Sequence, residues 1–260
     1  MAQAVREVLA FATADDVADA AAFLFVNLAA QAVRDRGAFY VALAGGATPL
    51  SCYRLLSAPL ISSRVDWEKT QVFFGDERCV PEGHADRNDD DAAAAFLNHV
   101  SLPGKNIHRV PAMERDGAER YESEIRGAFS IFSPSSDKGI PRFDLVLLGM
   151  GADGHTASLF PGRASLDEAQ RLVLRVDDAP KPPPCRVTFT LPLVNAARHV
   201  ALLVTGKEKA AALSRVLLED AALPAARVRP TSGTLTILAD AGAASVSRKP
   251  QVPPGAGSPR

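Results

Sequence analysis

The feature that most constrains this chain is the stretch FDLVLLGMGADGHTASLFPG at residues 143–162. Residues 143–148 are apolar except for Asp144, with Pro141 just ahead and Gly149 just behind. Such a run, bounded by breakers, is expected to form a strand buried on both faces of a parallel sheet. A polar cluster follows at once, with Asp153, Gly154, His155, Thr156 and Ser158 set after Gly149 and Gly151. In an open α/β sheet, ligands bind at the carboxyl ends of the strands, where this cluster falls. Glycines there let backbone N–H groups come close to a ligand at little steric cost. His155 is the leading catalytic candidate, with Asp153 as its neighbouring acid. A lone histidine after a strand commonly does no more than cap a helix or bond a carbonyl. The acid two residues earlier and the surrounding glycines set this one apart.

Gly149, Gly151 and Gly154 also fit the pattern GxGxxG, and Asp177 closes the next apolar run at 172–176. That is the outline of a dinucleotide-binding fingerprint. Pro161-Gly162 interrupts the long helix that the third glycine should open, and several α/β segments precede the motif. The pattern is therefore read as something other than a nicotinamide or flavin site, and no cofactor is expected.

The rest of the chain alternates between the same two kinds of segment. Thr13 and two acids start a helix expected to run to about Arg36 and to stop at Gly37. The strand at 39–44 ends in Gly45-Gly46-Ala47-Thr48-Pro49, where Thr48 is read as an N-cap and Pro49 as the first helical residue. Exposed N–H groups at such a helix start suit a phosphate, although a plain turn from strand to helix would look alike. The strand at 72–74 ends in Gly75-Asp76-Glu77-Arg78. Charge at a strand end is costly to bury unpaired, so Asp76 and Arg78 are read as candidates for sugar hydroxyls and phosphate. Residues 89–91 are expected to start a helix through Leu97. A short strand at 107–110, a helix at 114–129 and a polar loop at 133–139 then lead to the central strand. Beyond the motif come a proline-rich loop at 180–184, a strand opened by Arg186, and a strand at 199–205 that ends at Lys207. Lys207 offers a point charge for a phosphate. A last strand is expected at 234–238, and the tail at 246–260 reads as disordered.

This alternation predicts an α/β protein, Rossmann-like, with a mostly parallel sheet flanked by helices and a small additional α/β part. A single domain over 1–245 is expected. The parallel sheet would gather Gly45, Asp76, Gly149 and Lys207 at one edge, which suits an enzyme acting on a phosphorylated small molecule.

Composition limits the partners. The formal net charge of −1 gives no global drive toward nucleic acid or anionic membrane. The apolar stretch at 18–33 is interrupted by Asp19, Asn27 and Gln31, and reads as too short and too polar to span a bilayer. No signal pattern precedes it. Cys52, Cys79 and Cys185 are few and far apart, which is read as buried thiols in a reducing, cytoplasmic setting. His84, His99 and His108 show no ligand spacing, so no metal is assigned.

Five ordered motifs carry a family likeness: LAGGATPL at 43–50, FFGDERCVP at 73–81, GMGADGHTASLFPG at 149–162, RVTFTLPLVNAARHV at 186–200 and TGKEKA at 205–210. Together they resemble the 6-phosphogluconolactonase family of the pentose phosphate pathway, related in fold to the amino-sugar-phosphate deaminases. The resemblance implies cofactor-free hydrolysis of 6-phospho-D-glucono-1,5-lactone to 6-phospho-D-gluconate. Its substrate would be the small sugar-phosphate lactone, with neither nucleic acid nor membrane as partner, in a monomer or small homo-oligomer. Carried over by position, Gly45, Gly46 and Thr48 would hold the phosphate, and Arg78, Arg186 and Lys207 would lie around phosphate or sugar. Asp76 would face hydroxyls, and His155 would be the general base. Asp153 would orient water or imidazole. N–H groups near Gly151 and Gly154, or a basic side chain, would meet the oxyanion. Ser158 is not expected to be a nucleophile, because a δ-lactone needs no covalent intermediate. The deaminases expect a glutamate five residues after the histidine and a tyrosine after Asp-Glu, where this chain has Phe160 and Arg78. Both departures favour the lactonase over a deaminase or isomerase. A non-catalytic sugar-phosphate sensor would need an attached DNA-binding segment, which this sequence does not show.

Overall fold

The computed structural model describes residues 5–132 and 139–246. Most of the polar loop expected at 133–139, and the tail except Val246, lie outside these residues. The elements in chain order are β1 (Val5–Phe11), α1 (Ala14–Arg36), β2 (Phe39–Leu43), α2 (Ala47–Leu56), α3 (Pro59–Ser62), β3 (Thr70–Phe74), β4 (Asp76–Arg78) and α4 (Asn88–Ala95). There follow α5 (Gly117–Phe132), β5 (Leu145–Gly149), β6 (Val173–Val176), β7 (Arg186–Phe189), α6 (Leu191–Ala196), β8 (His199–Val204), α7 (Ala210–Leu217) and β9 (Thr234–Asp240).

Six strands form one sheet in the order β1-β9-β8-β5-β2-β3, and every neighbouring pair is parallel. From β2 the chain moves outward to β3, whereas β5, β8 and β9 build outward on the other side. The order therefore reverses between β2 and β5. At such a switch point the loops leaving neighbouring strands diverge and leave a crevice. All five residues of β2 are buried, as are the first four of β5, as expected of central strands covered on both faces. A second, antiparallel sheet of β4-β7-β6 stands beside the first, with Arg78 opposite Arg186. The α/β expectation with a small additional part holds in this form.

Helix α1 begins with a capping box in which Thr13 and Asp16 satisfy each other's backbone N–H, and it ends at Gly37 in the left-handed conformation. By length and composition it is apolar enough to cross a bilayer, contrary to the sequence expectation. Its face of Val17, Ala21, Phe25 and Ala29 is instead buried in the core.

Several boundaries differ from the sequence reading. β1 was not foreseen; it is an edge strand with six of its seven residues exposed, so it carries no alternation of apolar and polar positions. The strand expected at 107–110 is reduced to a single bridge between Val72 and Ile107. The cap of α2 is Gly46, not Thr48, which lies inside the helix as its second residue with its hydroxyl 2.6 Å from that of Thr205.

Cys79 and Cys185 are joined in a disulfide between strand-end residues with Cα atoms 5.3 Å apart, and only Cys52 is free and buried. The expectation of unpaired thiols is thus corrected, and with it goes the support that cysteine usage gave to a cytoplasmic setting. The bond closes a loop across a sequence separation of 106 residues, for which the chain-entropy model gives about 5 kcal/mol, against about 2–4 kcal/mol for a typical disulfide. Reduction is expected to lower the urea midpoint accordingly, and the Cys79→Ser/Cys185→Ser variant to become insensitive to reductant. Equal midpoints with and without reductant would count against the bond.

Candidate active site

The carboxyl ends of β2, β5 and β8, with β4 and the loop before β7, enclose a cavity of about 460 Å³. Gly45, Gly46 and Thr48 form its wall at the start of α2; Asp76, Arg78 and Asn88 form a second wall; Gly151 and His155 come from the β5 loop. A larger groove of about 590 Å³ lies along residues 163–178. Its Arg163, Arg171 and Arg175 are paired with Asp178, Glu119 and Asp177, and it holds none of the candidate site residues.

The first wall is held from below. Buried Tyr53 accepts a hydrogen bond from Ala44 N–H and donates its hydroxyl to the Ala44 carbonyl, each at 2.9 Å. The end of β2 is thereby fixed before the chain turns through Gly45 into α2. A side chain at Gly45 would lie 1.8 Å from Asn88 Oδ1, so only glycine fits while Asn88 keeps its place.

Asn88 is buried, and its Nδ2 donates to the Asp76 carbonyl at 2.9 Å. Asp76 Oδ2 accepts from Ser158 Oγ at 2.7 Å. Buried Ser158 thus has its hydroxyl proton committed to a carboxylate, which fits a supporting part and not a nucleophilic one. Below these residues lies Glu77, fully buried, whose carboxyl accepts from the N–H groups of Arg78, Asn88 and Asp89 at 2.7–2.9 Å. Burial outweighs these bonds and raises its pKa from 4.5 to about 7. A carboxyl raised on folding contributes stability that is complete below its unfolded value and is lost as pH climbs through the folded one. Wild type is therefore expected to lose stability as pH rises between 4.5 and about 7, with a flatter profile in Glu77→Gln. Urea titrations across that range read the difference.

His155 and Asp153 form a pair. Imidazole Nδ1 lies 2.5 Å from Asp153 Oδ1, and the same oxygen accepts from His155 N–H at 3.3 Å. With Nδ1–H given to the carboxylate, the lone pair sits on Nε2, which makes no hydrogen bond among the described residues. The ring lies 4.8 Å from Phe160, centroid to centroid. Burial pushes the imidazole pKa down; Asp153 opposes this, Lys181 adds to it, and the net is below the ordinary value. For Asp153 burial acts upward, and the hydrogen bond and charge of His155, helped by Lys181, bring the carboxyl below its ordinary range. At neutral pH the pair is thus a neutral imidazole beside a carboxylate. Gly151 lies under it: a Cβ there would fall 2.1 Å from His155 Nδ1.

Other expected residues are placed differently. Gly151 N–H donates to the His155 carbonyl and Gly154 N–H to the Gly151 carbonyl, both at 2.9 Å, so these groups hold the loop and are not free for an oxyanion. Gly154 does not line the cavity and packs against Leu223. Lys207 is exposed and off the cavity; half-buried Lys209 lines it instead, its pKa lowered by burial. Arg186 reaches the cavity, but its guanidinium is turned to carbonyls of the proline-rich loop. Sequence reasoning did not single out Asn88, Lys181 or Lys209. Among the described residues no group of three or more His, Cys, Asp or Glu could hold a metal ion.

A switch-point crevice with a glycine-rich helix start, flanking cations and a histidine–carboxylate pair defines an α/β enzyme of the sugar-phosphate isomerase and lactonase class. The model of the family described as glucosamine-6-phosphate isomerases/6-phosphogluconolactonase matches residues 12–237. A probable chloroplastic 6-phosphogluconolactonase 4 of Oryza sativa subsp. indica is 40% identical over 215 residues, covering 81% of this chain and 66% of that protein. A 6-phosphogluconolactonase of Mycobacterium bovis is 37% identical over 232 residues, 88% of this chain and 93% of that one. The solved 6-phosphogluconolactonase of Trypanosoma brucei superposes with a TM-score of 0.80 at 27% identity, over 92% of this chain and 98% of that one. The chain belongs to the 6-phosphogluconolactonase family, within the glucosamine-6-phosphate isomerase superfamily.

Proposed function

We propose that the chain hydrolyses 6-phospho-D-glucono-1,5-lactone to 6-phospho-D-gluconate, with His155 as general base. The observation that carries this reading is the engagement of Nδ1 by Asp153, which leaves an unpaired Nε2 on an imidazole kept neutral near pH 7. Nε2 takes a proton from water as the water oxygen attacks the lactone carbonyl. The tetrahedral oxyanion collapses, the bond from C1 to the ring oxygen breaks, and the imidazolium returns its proton to that oxygen. The product is an open-chain acid that ionises. The phosphate sits at Gly45, Gly46 and Thr48, with Lys209 and Arg78 as cations, and Asp76 faces the sugar hydroxyls. Holding the phosphate fixes the carbonyl against the base, which is where most of the acceleration over an already labile lactone arises.

Phe160 speaks against the deaminase reading, since an apolar ring stands beside His155 where proton chemistry for ring opening would require a carboxylate. The test is acid release from freshly generated lactone, measured above the spontaneous rate, beside ammonia release from glucosamine 6-phosphate. Ammonia without acid release would overturn the assignment. A cytoplasmic setting stays a proposal, tested by fractionating cells that express the chain with both ends untagged. A monomer or small homo-oligomer is likewise proposed, and light scattering decides it.

A further inference from the structure

The loop between β6 and β7 lines the cavity through Lys181 and Pro182. The Lys181 ammonium lies 3.7 Å from Asp153 Oδ2 and 3.5 Å from His155 Nδ1. Nδ1 already donates its proton to Asp153, and an ammonium has only donors. The approach of Lys181 to the ring is therefore one of charge, with Asp153 as the anchor.

What holds Lys181 there is Arg186. Arg186 is buried, 6% exposed as a residue, and its guanidinium donates through Nε to the Pro183 carbonyl at 2.7 Å. Its Nη2 reaches the carbonyls of Pro182 at 3.2 Å and Lys181 at 3.4 Å. The base of the loop is closed by Ala179 N–H on the Pro184 carbonyl and by Cys79 N–H on the Cys185 carbonyl, beside the disulfide. A guanidinium with its donors committed in this way acts as a strap.

We propose that Lys181 is the third member of the His155–Asp153 centre, where it sets the basicity of the imidazole, and that Arg186 is the positioning residue that presents it. The proposal rests on His155 being the general base of the lactone reaction. The other charged side chains around the cavity are Asp76, Arg78, Arg186, Glu208 and Lys209. Among the groups acting on His155, Asp153 and Asp76 oppose its deprotonation, and Lys181 is the cation that favours it.

The test reads His155 directly, by proton NMR of its Cε1–H during a pH titration of the folded protein without substrate. Removing the cation in Lys181→Met is expected to raise the midpoint by about 0.5–1 pH unit, the low end of a close interaction because Lys181 is half exposed. The acid limb of kcat/KM should move by the same amount, with KM nearly unchanged. Lys181→Arg should restore both. Arg186→Lys keeps a charge but cannot reach three carbonyls, and should reproduce the shift seen in Lys181→Met; the two changes together should add little to either alone.

An unmoved His155 midpoint in a folded Lys181→Met protein overturns the proposal. So does a shift in Arg186→Lys that adds fully to that of Lys181→Met. Because the NMR titration needs no turnover, a moved midpoint in a protein that does not hydrolyse the lactone leaves the tuning intact and removes the functional reading.

Discussion

His155→Ala is expected to lower kcat/KM for the lactone by about 10²–10⁴-fold, the range over which a positioned general base contributes. The fold should survive. His155 sits in a loop after β5, and its ring contacts Phe160 and Asp153 at the cavity and takes no part in the sheet. Loss should fall mainly on kcat, because the residues proposed to hold the phosphate and hydroxyls, Gly45, Thr48, Asp76 and Lys209, line other parts of the cavity. His155→Gln, which keeps a polar side chain but no base of suitable pKa, should be nearly as slow. In wild type the rate should fall on the acid side as the imidazole gains a proton, with a midpoint below that of an ordinary histidine. Asp153→Asn should lose less than His155→Ala, since Nε2 survives while the anion that steadies the imidazolium is gone. A folded His155→Ala protein with wild-type kcat would place the base elsewhere and sink the mechanism.

The central strands were legible because burial on both faces leaves a plain mark, an apolar run ended by glycine. The same runs predict Gly45, Asp76, Gly149 and Lys207 on one edge, and of these the first three line the cavity while Lys207 does not. The parts that were not legible share physical reasons. β1 is paired on one side only and exposed on both faces, so no pattern of hydrophobicity betrays it. Cys79 and Cys185 come together through the antiparallel pairing of β4 with β7, a long-range contact that spacing along the chain does not encode. Lys207 and Lys209 differ only in how one short turn after β8 aims them, and the turn sends Lys209 to the cavity. Asn88 lay in an acidic, loop-like stretch just ahead of the helix start expected at 89–91; α4 starts at Asn88 itself and ends at Ala95, short of the expected Leu97. The second duty of Asn88, filling the space above Gly45, exists only once two distant segments meet. Lys181 lay among prolines that read as a surface loop, and its meaning comes from the strap formed by Arg186.

Gly45→Ala is expected to damage substrate binding strongly. The new Cβ would lie 1.8 Å from Asn88 Oδ1 and 2.5 Å from its Cγ, far inside contact distance. Neither partner can yield cheaply. Asn88 is 3% exposed; its Nδ2 supplies the Asp76 carbonyl and its N–H supplies Glu77. The backbone just ahead of Gly45 is clamped by Tyr53 through both polar groups of Ala44. Overpacking of this kind costs about 1–3 kcal/mol. Swinging Asn88 away would leave the Asp76 carbonyl buried without its donor, about 1–3 kcal/mol more. Either response moves a wall of the cavity, Gly45-Gly46-Thr48 where the phosphate is proposed to sit or Asp76 opposite it. On the proposed mechanism phosphate binding also holds the carbonyl against the base, so kcat should fall along with a rise in KM of about tenfold or more. Titration calorimetry with 6-phosphogluconate isolates the binding part, and Gly45→Ala should weaken it by a similar factor. The discriminating variant is Gly45→Ala/Asn88→Ala, which makes room for the added methyl group. If crowding against Asn88 is the cause, the double variant binds 6-phosphogluconate more tightly than Gly45→Ala alone, although less tightly than wild type. If the double variant binds more weakly still, the two residues act independently and Gly45 is needed for the ligand's own approach. Wild-type binding by Gly45→Ala would remove the end of β2 from the phosphate site altogether.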